Sequence, residues 1–315
     1  TPLREAVTWA IEAGDLDSAS NATLMQVSLV FAAGLHLRSL ERSSNVAAHR
    51  MQQWQAGEQE IMARVFERFA GLLLAGDPEA VEARLEDPFD LAVLLPTLEL
   101  GLVLQGIWAL EAVLCVLFDR PARALELYAE IDRLGAPRQG AWLSVYLAGF
   151  RGLAAADLCG RAETEDERAA LRSIIEDELA RLRTWAAVAP ENFSHLEHLL
   201  AGELRALDGD PLGALALLGR ARRAAKAARL PLFEALAYER MAKLVLDVDI
   251  EELGVGPIRE AVARYHHWGA FSKAVALERR WPELFADVQA GEAGGENTRT
   301  GQTSNSTSGR SLDMA

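Results

Sequence analysis

A small residue returns at one fixed offset behind a helix stop. Gly209 and Asp210 end one helical run, and Pro211 opens the next. Ala214, Leu218 and Ala221 then fall on one face at i, i+4 and i+7. Gly254, Ile258 and Ala261 repeat that spacing. Ala124, Tyr128 and Ile131 show it a third time, ahead of Gly135 and Pro137. In each case the preceding helix carries its own small residue: Gly202, Ala242 and Ala112. Such a pattern asks helices to approach closely, pair after pair. It leaves no place for the period-two alternation of a strand.

Two antiparallel helices with small residues at their crossing make a tetratricopeptide-like unit. The predicted fold is therefore all-α, a tetratricopeptide-like helical-hairpin solenoid forming a right-handed superhelix. It is predicted to occupy residues 1–285. The competing reading is a non-repetitive helical bundle, since small residues are common in any Ala-rich helix.

Composition narrows the function classes. Half of the 315 residues are hydrophobic, and Ala, Leu, Glu and Arg dominate, which favours helices. A net charge of −14 argues against nucleic-acid binding, because phosphate contacts need a basic face. Cys115 and Cys159 stand alone in apolar helical contexts, which suits a reducing, cytoplasmic setting without a disulfide framework. The most apolar run, 91–118, is broken by Pro96, Glu99, Gly101 and Glu111, so it reads as a buried helix and not a membrane span. No signal peptide is visible. The chain opens at Thr1 almost inside a helix and reads as an excised piece.

Along the chain, helices are predicted over 3–13, 16–33, 36–54, 58–74, 91–118, 121–134, 138–159 and on to Val188, where Pro190 is the stop. Residues 161–167 read as a charged surface loop. Gly76-Asp77-Pro78, Asp87-Pro88 and Asp210-Pro211 share one device: Asp offers an N-cap oxygen, and Pro fits the first turn. Trp142, Tyr146 and Phe150 form an aromatic stripe, read as core, with a ligand groove as the alternative. From Ala286 onward Gly, Ser, Thr, Asn and Gln prevail, which predicts a disordered, flexible tail or linker toward a following domain.

Three C-terminal segments carry a family resemblance: 189–207, 229–246 and 259–284. They resemble the helical repeat region of large multidomain sensor proteins. In these a kinase-like domain and an AAA-type ATPase precede the repeats, and a GAF domain and a sensor histidine kinase follow. The repeats close with a Tyr-x-x-Trp-Gly-Ala segment, matched here by Tyr265, Trp268, Gly269 and Ala270. Pro282 matches the proline that follows, 298–311 looks like the Ser/Thr-rich linker, and Ser311-Leu312-Asp313 resembles the stub before the GAF domain. His266-His267 and the Ala-rich helices depart from the family pattern.

The resemblance implies a non-catalytic helical-repeat scaffold or signal-relay module. Its partners would be neighbouring ATPase, GAF and histidine kinase domains, or a protein or peptide in the solenoid groove. No Gly-rich phosphate loop occurs, so ATPase or kinase activity would belong to the parent protein and not to this chain. No catalytic site, cofactor or metal is expected.

Other candidates stand beside that reading. His195 and His198, three apart on one helical face, could hold a metal in a helical metal-dependent enzyme, but a third ligand is missing at any expected spacing. Arg222, Arg223, Lys226 and Arg229 make a basic stripe, read either as a solvated face or as a contact to an acidic partner. A ligand-sensing helical domain of an ATPase-regulated transcription factor is the remaining alternative. Tyr265, Trp268 and Gly269 are expected to cap the array over Ile258, Ala261 and Val262, with Gly269 making a left-handed turn.

Overall fold

Residues 2–86, 101–135, 142–246 and 251–285 are described by a computed structural model of the chain. Among them lie fourteen α-helices and no strand. The helices are α1 (Pro2–Glu12), α2 (Leu16–Ala32), α3 (Leu37–Gln53), α4 (Gly57–Leu74) and α5 (Pro78–Glu86). They continue as α6 (Gly101–Leu117), α7 (Pro121–Arg133), α8 (Trp142–Cys159), α9 (Glu165–Val188) and α10 (Pro190–Leu207). The last are α11 (Pro211–Ala227), α12 (Pro231–Leu246), α13 (Glu251–Trp268) and α14 (Phe271–Arg280). The Asp87-Pro88 device, residues 91–100 of the apolar run, Pro137, the side chain of Trp142 and the tail from Ala286 lie outside the described residues.

Sequence punctuation becomes cap chemistry. Asp15, Asp77 and Asp210 each accept a hydrogen bond from a backbone N–H three residues on, at 2.9–3.1 Å. The loop predicted over 161–167 ends earlier than expected. Thr164 accepts from the Glu167 N–H at 3.2 Å, and α9 begins at Glu165. Pro190 stops α9 and also serves as the first residue of α10.

Helix ends follow one rule. Gly14, Gly34, Gly76, Gly135, Gly209 and Gly269 take left-handed φ, as do Gln55, Asp119 and Arg229. Behind most of them the next N–H returns to a carbonyl five residues back, as Asp15 does to Ala10, Asp210 to Arg205 and Ala270 to Tyr265. Behind Gly76 that bond is split by an inserted hydroxyl. The Asp77 N–H donates to Ser272 Oγ at 3.1 Å, and Ser272 Oγ donates to the Leu72 carbonyl at 2.6 Å. A residue from α14 thus completes the end of α4.

Packing falls into two layers. The even-numbered helices α2, α4, α6, α8, α10 and α12 touch in succession. The odd-numbered α3, α7, α9 and α11 each pack on both even-numbered neighbours, and α13 packs on α12. Glycines set some of these approaches. A Cβ on Gly152 of α8 would sit 2.5 Å from Leu200 of α10, and one on Gly202 of α10 would sit 2.9 Å from Leu218 of α11. The small residues read from the sequence are buried at these crossings: Ala112, Ala124, Ala214, Ala242 and Ala261.

Aromatic rings fill the even layer. Phe31 of α2 meets Tyr146 of α8 at 4.7 Å between centroids, Tyr146 stacks on Phe150, and Phe150 meets Phe233 of α12 at 6.1 Å. The described part of the aromatic stripe is therefore core.

The chain divides into two compact units, at Leu277. Within the second, a 3-10 turn spans Pro282–Phe285, and the Arg280 guanidinium lies 4.8 Å from the Trp281 ring centre.

Candidate functional site

An ionic network that sequence reading missed runs through the interior. Glu239 and Arg240 are neighbours on α12, and both are buried. Arg240 forks onto Asp157 of α8, with Nη2 on Oδ2 at 2.7 Å, and its Nη1 also reaches Glu203 of α10 at 3.5 Å. Glu239 accepts from Lys273 Nζ at 2.9 Å and from the Tyr265 hydroxyl at 2.8 Å. Lys273 Nζ also donates to the Leu117 carbonyl at the end of α6, at 2.5 Å.

Burial pushes the Glu239 carboxyl up, but Lys273 and Lys243 outweigh it and hold the group below its ordinary value. Burial likewise lowers Lys273, against the pull of Glu239. For Arg240, burial opposes the charge, and Asp157 and Glu203 more than restore it. The signal available in sequence was a charged pair, Glu239-Arg240, inside the apolar stretch of α12.

His195 and His198 lie in different surroundings. The His195 ring is 3% exposed, lies 4.6 Å from the Phe233 ring, and neither of its nitrogens has a hydrogen-bond partner. Burial lowers its pKa to about 4. His198 is half-buried on the same helix. Among the described residues no group of three or more His, Cys, Asp or Glu side chains could hold a metal ion. Cys115 and Cys159 are both free and buried, and burial pushes the Cys115 thiol up to about 12, so it is an inert core residue.

His195 gives a pH prediction. Its folded pKa is depressed, so the unfolded chain takes up a proton first as pH falls. Stability is full above about 6.5 and is lost progressively down to about 4. The loss attributable to this ring is about 3 kcal/mol. His195→Phe is expected to flatten the pH dependence of the urea midpoint over that window. An unchanged slope would show that the ring is solvated.

The closing segment sits at a crossroads. Tyr265, Trp268 and Ala270 are fully or almost fully buried, as are Ile258, Ala261 and Val262. Gly269 has φ +94°, and a Cβ there would meet His36 Cε1 of the α2–α3 turn at 2.7 Å. The His36 ring also faces Phe271. The segment therefore touches the N-terminal half as well as its own hairpin. The sequence of α13 alone carries no sign of that contact.

The basic stripe is not uniform. Arg222 donates to the Tyr238 hydroxyl at 3.2 Å and lies over that ring, which ties it to α12. Arg223, Lys226 and Arg229 are exposed.

A further surface went unread in the sequence. An open groove of about 1320 Å³ lies between α1 and α3, floored by α2. Leu3, Val7 and Ile11 face it from α1 at i, i+4 and i+8, and Arg42, Val46 and Arg50 face it from α3 at the same spacing. Ile11 is 46% exposed and Val46 52%.

Comparison with protein-family models, with curated proteins and with solved structures found no match. No described helix is long and apolar enough to cross a membrane.

Proposed function

We propose that the chain is a non-catalytic, tetratricopeptide-like helical scaffold that relays contact between domains or proteins. The carrying observation is the continuous even-numbered layer with an odd-numbered partner behind it. That arrangement is what hairpin repeats stacked into a superhelix produce. The recurring Ala or Gly at each buried crossing supports the same reading. The buried charges of the α12 network are paired. The Lys273–Glu239 and Arg240–Asp157 contacts link α6, α8, α12 and α14, and so serve the packing.

Within that reading, the resemblance at Tyr265, Trp268, Gly269 and Ala270 makes the chain a spacer between an ATPase and a GAF–histidine kinase half of a sensor protein. Sequencing the gene outward from the codons for Thr1 and Ala315 tests this directly. A phosphate-loop ATPase upstream and a GAF domain downstream are expected. Unrelated flanking domains would overturn the spacer assignment.

A further inference from the structure

The groove between α1 and α3 has the dimensions and the chemistry of a helix-binding face. Small-molecule sites are enclosed and hold roughly 300–1,000 Å³. This one is larger and open to solvent. Its walls are two helices, each presenting a row at helical spacing, which is how grooves receive an amphipathic helix. Ile11 and Val46 stand about half out of water, as do Leu29 and Leu35 along the same groove, so covering them is favourable at roughly 25 cal/mol per Å².

Charge selects the occupant. The chain carries 46 acidic and 32 basic residues, yet the groove is lined by Arg4, Arg42 and Arg50 and by no Asp or Glu. Those three guanidiniums are exposed and have no ion pair among the described residues. A basic partner would leave them facing like charge. An acidic one would pair them, in a groove that no Asp or Glu lines.

We propose that this groove docks an acidic amphipathic helix of a partner protein. Its apolar face covers Ile11 and Val46, and its carboxylates meet Arg4, Arg42 and Arg50. The inference rests on the scaffold reading and names the partner's chemistry.

The test uses a fluorescein-labelled amphipathic peptide with Leu on one helical face and Glu on the other, titrated with the full chain. A control peptide carries Lys in place of Glu. Saturable binding of the Glu peptide is expected, with the Lys peptide weaker by about tenfold or more. The variant Arg42→Glu/Arg50→Glu should reverse that preference while keeping the wild-type circular dichroism spectrum and melting temperature. A second variant, Val46→Asp, should weaken the Glu peptide through the apolar row. Equal binding of both peptides, or an unchanged preference in the double variant, would overturn the proposal. So would a chain that binds neither peptide but sediments as a dimer broken by Val46→Asp, because the occupant would then be a second copy. None of these failures touches the scaffold reading, which stands on the flanking coding sequence.

Discussion

Lys273→Met is expected to destabilise the protein by about 3–5 kcal/mol, the usual cost of stripping the partner from a buried charge. Lys273 is 5% exposed, and Glu239 is 2% exposed. With the ammonium gone, Glu239 keeps only the Tyr265 hydroxyl and Lys243, whose Nζ stands 3.4 Å away and is less buried. The Leu117 carbonyl also loses the donor that satisfies it. Methionine fills similar space, so the loss is electrostatic and not a cavity.

The double variant Lys273→Met/Glu239→Leu should recover much of that loss, because a buried pair replaced by apolar groups is often close to neutral. Urea unfolding of wild type, both single variants and the double variant gives the coupling energy. A loss below about 1 kcal/mol in Lys273→Met would mean that the pair behaves like a solvent-exposed one.

Trp268→Ala is expected to cost about 3–5 kcal/mol, as for other large aromatic truncations in a core. Trp268 is among the largest fully buried side chains. Its place in the chain adds a second readout. Gly269 backs onto His36, so loosening this segment should speed amide exchange at the α2–α3 turn as well as across 259–277. Exchange quickened only across 259–277 would mean that the segment closes its own hairpin and is not coupled to the N-terminal half.

What was legible in the sequence was local. Gly-Asp and Asp-Pro pairs mark helix ends because left-handed φ and N-capping need those residue types in the chain itself. The small residues at 124, 214 and 261 mark crossings because only a short side chain lets two helices meet. The left-handed ends at Gln55, Asp119 and Arg229 carry no such mark, since a non-glycine residue there is held by the helix around it.

The ionic network was not legible. Lys273 and Glu239 are 34 residues apart, and Arg240 and Asp157 are 83 apart, distances over which periodicity carries nothing. A Glu or Lys on a helix reads as a solvated face until its neighbours are known. The groove failed for the opposite reason. Leu3, Val7 and Ile11 have the spacing of a buried face, and only the packing shows that Val7 is buried while Ile11 stays 46% exposed.

The most direct test of the arrangement as a whole is one nuclear Overhauser cross-peak, between the His36 ring Hε1 and the Gly269 α-protons. The hairpins pack so that the closing segment meets the second interhelical turn, which brings His36 Cε1 to 2.7 Å from where a Gly269 Cβ would stand. A strong cross-peak is expected in the folded wild-type chain, weakened in Trp268→Ala. Its absence from a well-dispersed spectrum in which both residues are assigned would contradict the arrangement. The hairpins would then run on without returning, and the interior pairing described here would have to open with them.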